Sequence, residues 1–201
     1  MLWESLVKSK NFGFGPGTTC GRNPKKELAF KLSINIKQNM RKQLAIMVFI
    51  ILASLAQILY YYPQLPDVIA SHFNASGTAN GWQPKRAFFA IYGGVLVLLV
   101  LVFSGSALFM DRIPYSLINL PRKDYWLAPE RRDETFLFIN NQMLMFGNAT
   151  LLFIFIVFQL VIKENLTHQN LLSPPIMLPL LGVYILATIV WTVRFILRFR
   201  I

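Results

Sequence analysis

Four apolar stretches lie near residues 44–62, 87–110, 136–162 and 176–196. Each is about 20 residues or longer, the length that a helix rising ~1.5 Å per residue needs to cross ~30 Å of hydrocarbon. Residues 87–110, 135–162 and 165–193 contain no Asp, Glu, Lys or Arg. A surface helix of a soluble domain needs a wet face. A chain of 201 residues has no core large enough to hide four helices that are apolar all round. Only 14% of the residues are charged, against roughly a quarter in a soluble domain. The expected fold is all-α: an integral membrane protein with four transmembrane helices.

The formal net charge is +11. Such an excess invites a nucleic-acid reading. Here the basic residues sit mostly at the ends of the apolar stretches, where they meet headgroups and set topology. The expected partner is the lipid bilayer, and no nucleic acid. Nine Lys or Arg precede the first span, two lie in loop one (63–86), five in loop two (111–135), one in loop three (163–175) and three in the tail. The sides alternate to 17 against 3, and still to 10 against 3 without residues 1–39. Basic residues resist translocation, which predicts both termini and loop two in the cytoplasm, with loops one and three outside.

Residues 1–39 hold Gly13, Gly15, Pro16, Gly17 and Gly21 among scattered Lys and Asn, with little helical periodicity. They read either as a disordered cytoplasmic tail or as an extension from a misassigned start. Met40-Arg41-Lys42-Gln43 then has the short positive flank with which a bacterial inner-membrane protein often begins. Residues 40–201 form the four-span membrane domain. The first apolar run continues through Tyr60-Tyr61-Tyr62, too long for a cleaved signal core and ending in an interfacial aromatic belt. The single Cys20 excludes an internal disulfide and a paired-cysteine metal site.

Within the spans, Gly93-Gly94 and Ser104-Gly105-Ser106 are expected to face the bundle interior, or else to be Gly tolerated in lipid. Asn148, Thr150, Gln159, Thr188 and Thr192 read as interhelical glue. No ionisable residue lies mid-membrane, which argues against proton-coupled transport. In loop two, Tyr125 and Trp126 are placed at the interface. Pro129 opens a helix running from about 129 to 162, with Glu130, Asp133 and Glu134 favoured by its dipole. Arg131 and Arg132 fall at the inner headgroups.

Loop one is the most distinctive polar segment. Val68 to Phe73 reads as an extended piece, and Asn80-Gly81 as a turn. It is either a compact return loop, with Gly77 and Gly81 at turns and Trp82 as an interface anchor, or an external recognition surface built on His72, Asn74, Asn80 and Trp82. His72 and His168 with Asp67 lack metal-ligand spacing, so no metal and no cofactor are expected. No nucleophile elbow or triad appears, and the chain is read as a non-enzyme. Asn74, Asn148 and Asn165 begin Asn-x-Ser/Thr matches, a short motif frequent by chance.

Leu65, Pro66, Ile69, His72, Phe73, Asn74, Gly77, Asn80, Gly81, Trp82 and Lys85 resemble, in identity and spacing, the hallmark of a bacterial membrane family known as domain of unknown function 1648. The loop-two run Lys123-Asp124-Tyr125-Trp126-Leu127-Ala128-Pro129-Glu130-Arg131-Arg132 resembles the second signature of a four-span subgroup. Together the resemblance covers roughly residues 40–200. The same loop-one domain stands at the front of SdpI-type proteins, which protect bacteria from a secreted peptide toxin. Those have further spans and a C-terminal domain for which this sequence has no room, so immunity is implied by analogy alone. The expectation is an inner-membrane protein that senses or blocks an extracellular peptide, or responds to envelope stress, at residues 63–86. An accessory subunit of a membrane transport complex, bound to another membrane protein, is the alternative.

Overall fold

The computed structural model describes residues 24–74, 76–167 and 174–200. Cys20 and His168 lie outside the described residues, as do residues 1–23 of the expected tail or extension. Two compact units divide the chain, Met1–Leu32 and Ser33–Ile201, and the second holds all four spans.

The elements are helix α1 (Pro24–Tyr61), strands β1 (Val68–Phe73) and β2 (Ala79–Pro84), helix α2 (Lys85–Phe109), two 3₁₀ turns (Met110–Arg112 and Tyr115–Leu117), a short α3 (Lys123–Trp126), and the long helices α4 (Arg132–Thr167) and α5 (Pro174–Arg200). The four apolar spans are Ser33–Tyr61, Lys85–Ser106, Arg132–Thr167 and Ile176–Arg200, with mean hydropathy between 2.2 and 2.5. Helices close their own backbone hydrogen bonds, which is what hydrocarbon demands of a crossing segment. The chain is thus a multi-pass membrane protein, as its apolar stretches require. Helix α1 begins at Pro24, well before the span boundary expected near residue 44.

Helix α4 is the hub. Its Leu144, Leu151 and Ile162 are fully buried in a cluster with Met47 and Ile50 of α1 and Phe88, Tyr92 and Leu96 of α2. A chain of amides and phenols runs through this cluster. Tyr92 Oη donates to Gln57 Oε1 at 2.7 Å, Gln57 Nε2 donates to Gln159 Oε1 at 2.7 Å, and Gln159 Nε2 donates to Tyr61 Oη at 3.2 Å. Each such bond across helices in lipid is worth roughly 0.6–2 kcal/mol. Asn148 Nδ2 likewise donates to the backbone carbonyl and side chain of Gln43, and the Thr150 and Tyr184 hydroxyls share a bond at 2.9 Å. Gln159, Asn148 and Thr150 therefore do tie helices together.

Of the two expectations for Gly93-Gly94, glycine tolerated in lipid fits the structure and close helix packing does not. A Cβ added at Gly93 or Gly94 would meet nothing within 4 Å, so neither glycine mediates a close approach. The tight crossing uses Gly147 of α4, where an added Cβ would lie 2.6 Å from the Phe103 ring of α2. The aromatic belt is also split. Tyr60 is exposed, whereas Tyr61 joins the polar chain and Tyr62 packs on Phe89.

Candidate functional site

Loop one folds as an antiparallel hairpin, with Val68 opposite Pro84, Ile69 opposite Gln83, Ala70 opposite Trp82 and His72 opposite Gly81. The chain reverses at Asn74–Thr78, so of the two glycines expected at turns Gly77 lies at one and Gly81, with Asn80, does not. Asn74 is the reason. Its Oδ1 accepts from the backbone N–H of Ser76 at 3.0 Å, that of Thr78 at 2.9 Å and the Ser76 hydroxyl at 2.7 Å. Its carbonyl accepts from Gly77 N–H, and Gly77 takes φ 82°, which suits a residue without Cβ. Asn80-Gly81 lies inside β2, where irregular pairing brings the His72 side chain onto Gly81. A Cβ on Gly81 would stand 3.0 Å from the His72 Cβ. The glycine serves close approach, not a turn.

Two contacts seat the hairpin on the bundle. Asn165, buried near the end of α4, presents its side-chain amide to the edge of β1. Ala70 N–H donates to Asn165 Oδ1 at 2.7 Å, and Asn165 Nδ2 donates to Ala70 C=O at 2.8 Å. The amide completes the strand edge as the peptide group of a third strand would. At the foot of the hairpin, Lys85 Nζ donates to Leu65 C=O at 3.0 Å, pairs with Asp67 Oδ1 at 3.2 Å and lies 5.2 Å over the Tyr62 ring. Asp67 is therefore engaged by a cation of the chain itself. Beneath, Leu65 and Ile69 are buried in the main cluster and Phe73 packs against it.

The hallmark residues thus divide. Phe73, Asn74, Gly77, Gly81 and Lys85 build and seat the hairpin. Pro66, His72, Asn80 and Trp82 are exposed, Trp82 by 56%. Asn165, the residue that docks the hairpin, carried only its sequon as a signal; its burial leaves that sequon out of reach.

Loop two gathers at the opposite ends of α2 and α4. The helix expected from Pro129 begins instead at Arg132. Pro129 and Glu130 form a turn in which Ala128 C=O accepts from both Arg131 and Arg132 N–H at 2.9 Å. Trp126 is held by three contacts with two residues, Phe199 and Thr135. Its Nε1–H donates to Phe199 C=O at 3.2 Å, its carbonyl accepts from the Thr135 hydroxyl, and its ring meets Phe199 edge-on. Arg131 stacks 4.1 Å from the Tyr125 ring, Arg132 lies over Phe136 at 5.2 Å, and Arg198 lies over Trp126 at 5.4 Å. The Tyr115 hydroxyl donates to Asp124, and this bond raises the phenol above its ordinary value.

By fold this is a multi-pass α-helical membrane protein with a hairpin between its first two spans. Residues 49–96 match the family model of a domain of unknown function (DUF1648). The match begins within α1, takes in the whole hairpin and ends within α2, so the resemblance seen in loop one holds over that segment. No curated protein and no solved structure matches the chain.

Proposed function

We propose that this is a non-enzymatic protein of the bacterial cytoplasmic membrane that senses or blocks an extracellular peptide at the exposed side of its hairpin. The observation behind this reading is the division of labour within β1 and β2. Packing and hydrogen bonding account for Asn74, Gly77, Gly81 and Lys85, while His72, Asn80 and Trp82 face outward from a rigid support. A large, half-rigid aromatic on a pre-organised element is the kind of anchor that carries binding energy. The charge alternation puts this side outside the cell, and loop two would relay occupancy to the cytoplasm. SdpI-type immunity proteins, with their like-patterned loop, offer the analogy for a peptide ligand.

The test is survival of a deletion strain carrying His72→Ala, Trp82→Ala or the unaltered gene, challenged with peptide toxins and envelope stress. Both variants should insert normally yet lose protection. Wild-type protection by both would take the hairpin out of the mechanism, and unchanged survival of the deletion strain would overturn the sensing role itself.

A second reading, an accessory subunit of a membrane transport complex, draws on α5. None of its most apolar window is buried within the chain. A stable partner retained in mild detergent would favour that reading, and a lone chain or homo-oligomer would oppose it.

A further inference from the structure

Helices α4 and α5 enclose a groove of about 570 Å³ at the end away from the hairpin. Its composition changes along its length. Met145, Ala187 and Val190 form an exposed apolar lower part, Phe138, Trp191 and Phe195 its aromatic walls, and Arg194 and Arg198 its mouth. Helix rise gives the depth: Arg194 stands 20 residues beyond the start of α5 at Pro174, about 30 Å along the axis. That is one hydrocarbon thickness, so the guanidiniums reach headgroup level while Ala187 and Val190 remain in the acyl region.

The walls are held by contacts within the chain itself. Trp191 stacks on Phe146 at 4.6 Å and on Phe195 at 5.4 Å, and its Nε1–H donates to Gln142 Oε1 at 3.1 Å. Arg198 is fixed 5.6 Å over Phe138. Among the described residues no carboxylate pairs with Arg194 or Arg198. Two guanidiniums without a carboxylate partner among the described residues, one helical turn apart beside an apolar trough, match one amphiphile in charge and in polarity order.

We infer that this groove binds an anionic phospholipid, with its phosphate at Arg194 and Arg198 and an acyl chain along Met145 and Val190. Guanidinium presents a planar donor fork suited to phosphate oxygens. Basic pockets between membrane helices bind anionic headgroups by this chemistry. The lipid would cover part of the α5 face that the chain leaves open, and so fix that helix against α4.

The experiment uses the full chain in a neutral detergent, titrated with phosphatidylglycerol, phosphatidylcholine or inorganic phosphate. Native mass spectrometry reads retained lipid and circular dichroism reads thermal unfolding. Phosphatidylglycerol should stay bound and raise the unfolding midpoint, while phosphatidylcholine and inorganic phosphate should not. Arg194→Gln should weaken phosphatidylglycerol binding roughly fivefold, and Arg194→Gln with Arg198→Gln roughly 25-fold. Because Arg198 also packs on Trp126 and Phe138, the single Arg194 variant decides the matter if the double variant fails to fold. Equal retention of the two lipids, wild-type affinity in Arg194→Gln, or equal protection by inorganic phosphate would each overturn the assignment.

Discussion

The two ends of the bundle are held by different physics. At the hairpin end, directional hydrogen bonds dominate: the Asn74 turn, the Asn165 amide on the edge of β1, and the Lys85 ammonium on the Leu65 carbonyl. At the loop-two end, aromatic rings and cations do most of the holding, with Trp126, Phe138, Phe195 and Phe199 in contact and Arg131 and Arg198 stacked on rings. The buried bonds between Asn165 and Ala70 fail abruptly when one partner is removed, because the other is left buried and unpaired. Ring and cation contacts are broad and tolerate displacement. The hairpin is built to hold one shape, and the opposite end to adapt.

Asn165→Ala should have the largest effect. It strands the N–H and C=O of Ala70, which is 2% exposed, and should cost about 2–4 kcal/mol. Hydrogen exchange at Ala70 should accelerate while the amides of α4 near Leu144 stay protected; equal loosening of both would show the hairpin and bundle to be one cooperative unit. Trp126→Ala comes next. Trp126 is only half-buried, so the loss should be about 2 kcal/mol, below the range for a fully buried ring. Hydrogen exchange should increase around Leu127 and Phe199 with Ala70 unaffected, and a change at Ala70 would contradict the separation of the two ends. Gly81→Ala should have the smallest effect, about 1 kcal/mol, by pushing the His72 side chain. Adding His72→Gly, which removes the Cβ that the new methyl meets, should restore most of that loss in a double-mutant cycle, whereas additive losses would mean that the glycine is needed for its backbone and not for the space above it.

The legibility of the two loops was uneven. Loop one's glycines were legible as turn residues, and Gly77 does sit at the turn, but Asn74 stood among the candidate recognition residues and its part in organising the turn was not legible. The pattern did not say where the chain turns. Asn80-Gly81 is the stronger local signal, yet Asn74 satisfies three donors at once and captures the reversal. In loop two, Pro129 looked like a helix start, but the Ala128 carbonyl closes a turn around it first. Among the spans, Gly93-Gly94 looked like a packing motif and Gly147 did not. A glycine's part in a crossing depends on what the facing helix presents, here Phe103, and one sequence segment carries no information about its neighbour.

By itself the sequence determined that four helices cross a membrane, since uncharged runs of bilayer length have no other stable home and the backbone must satisfy itself there. It also marked the segment that carries the DUF1648 match. Tertiary structure alone decided which polar residues are structural. Asn165 sits 95 positions from Ala70, and Gln57 sits 102 from Gln159. No local pattern pairs residues so distant. Their partnership arises only when packing brings each amide opposite a group that burial would otherwise leave unsatisfied.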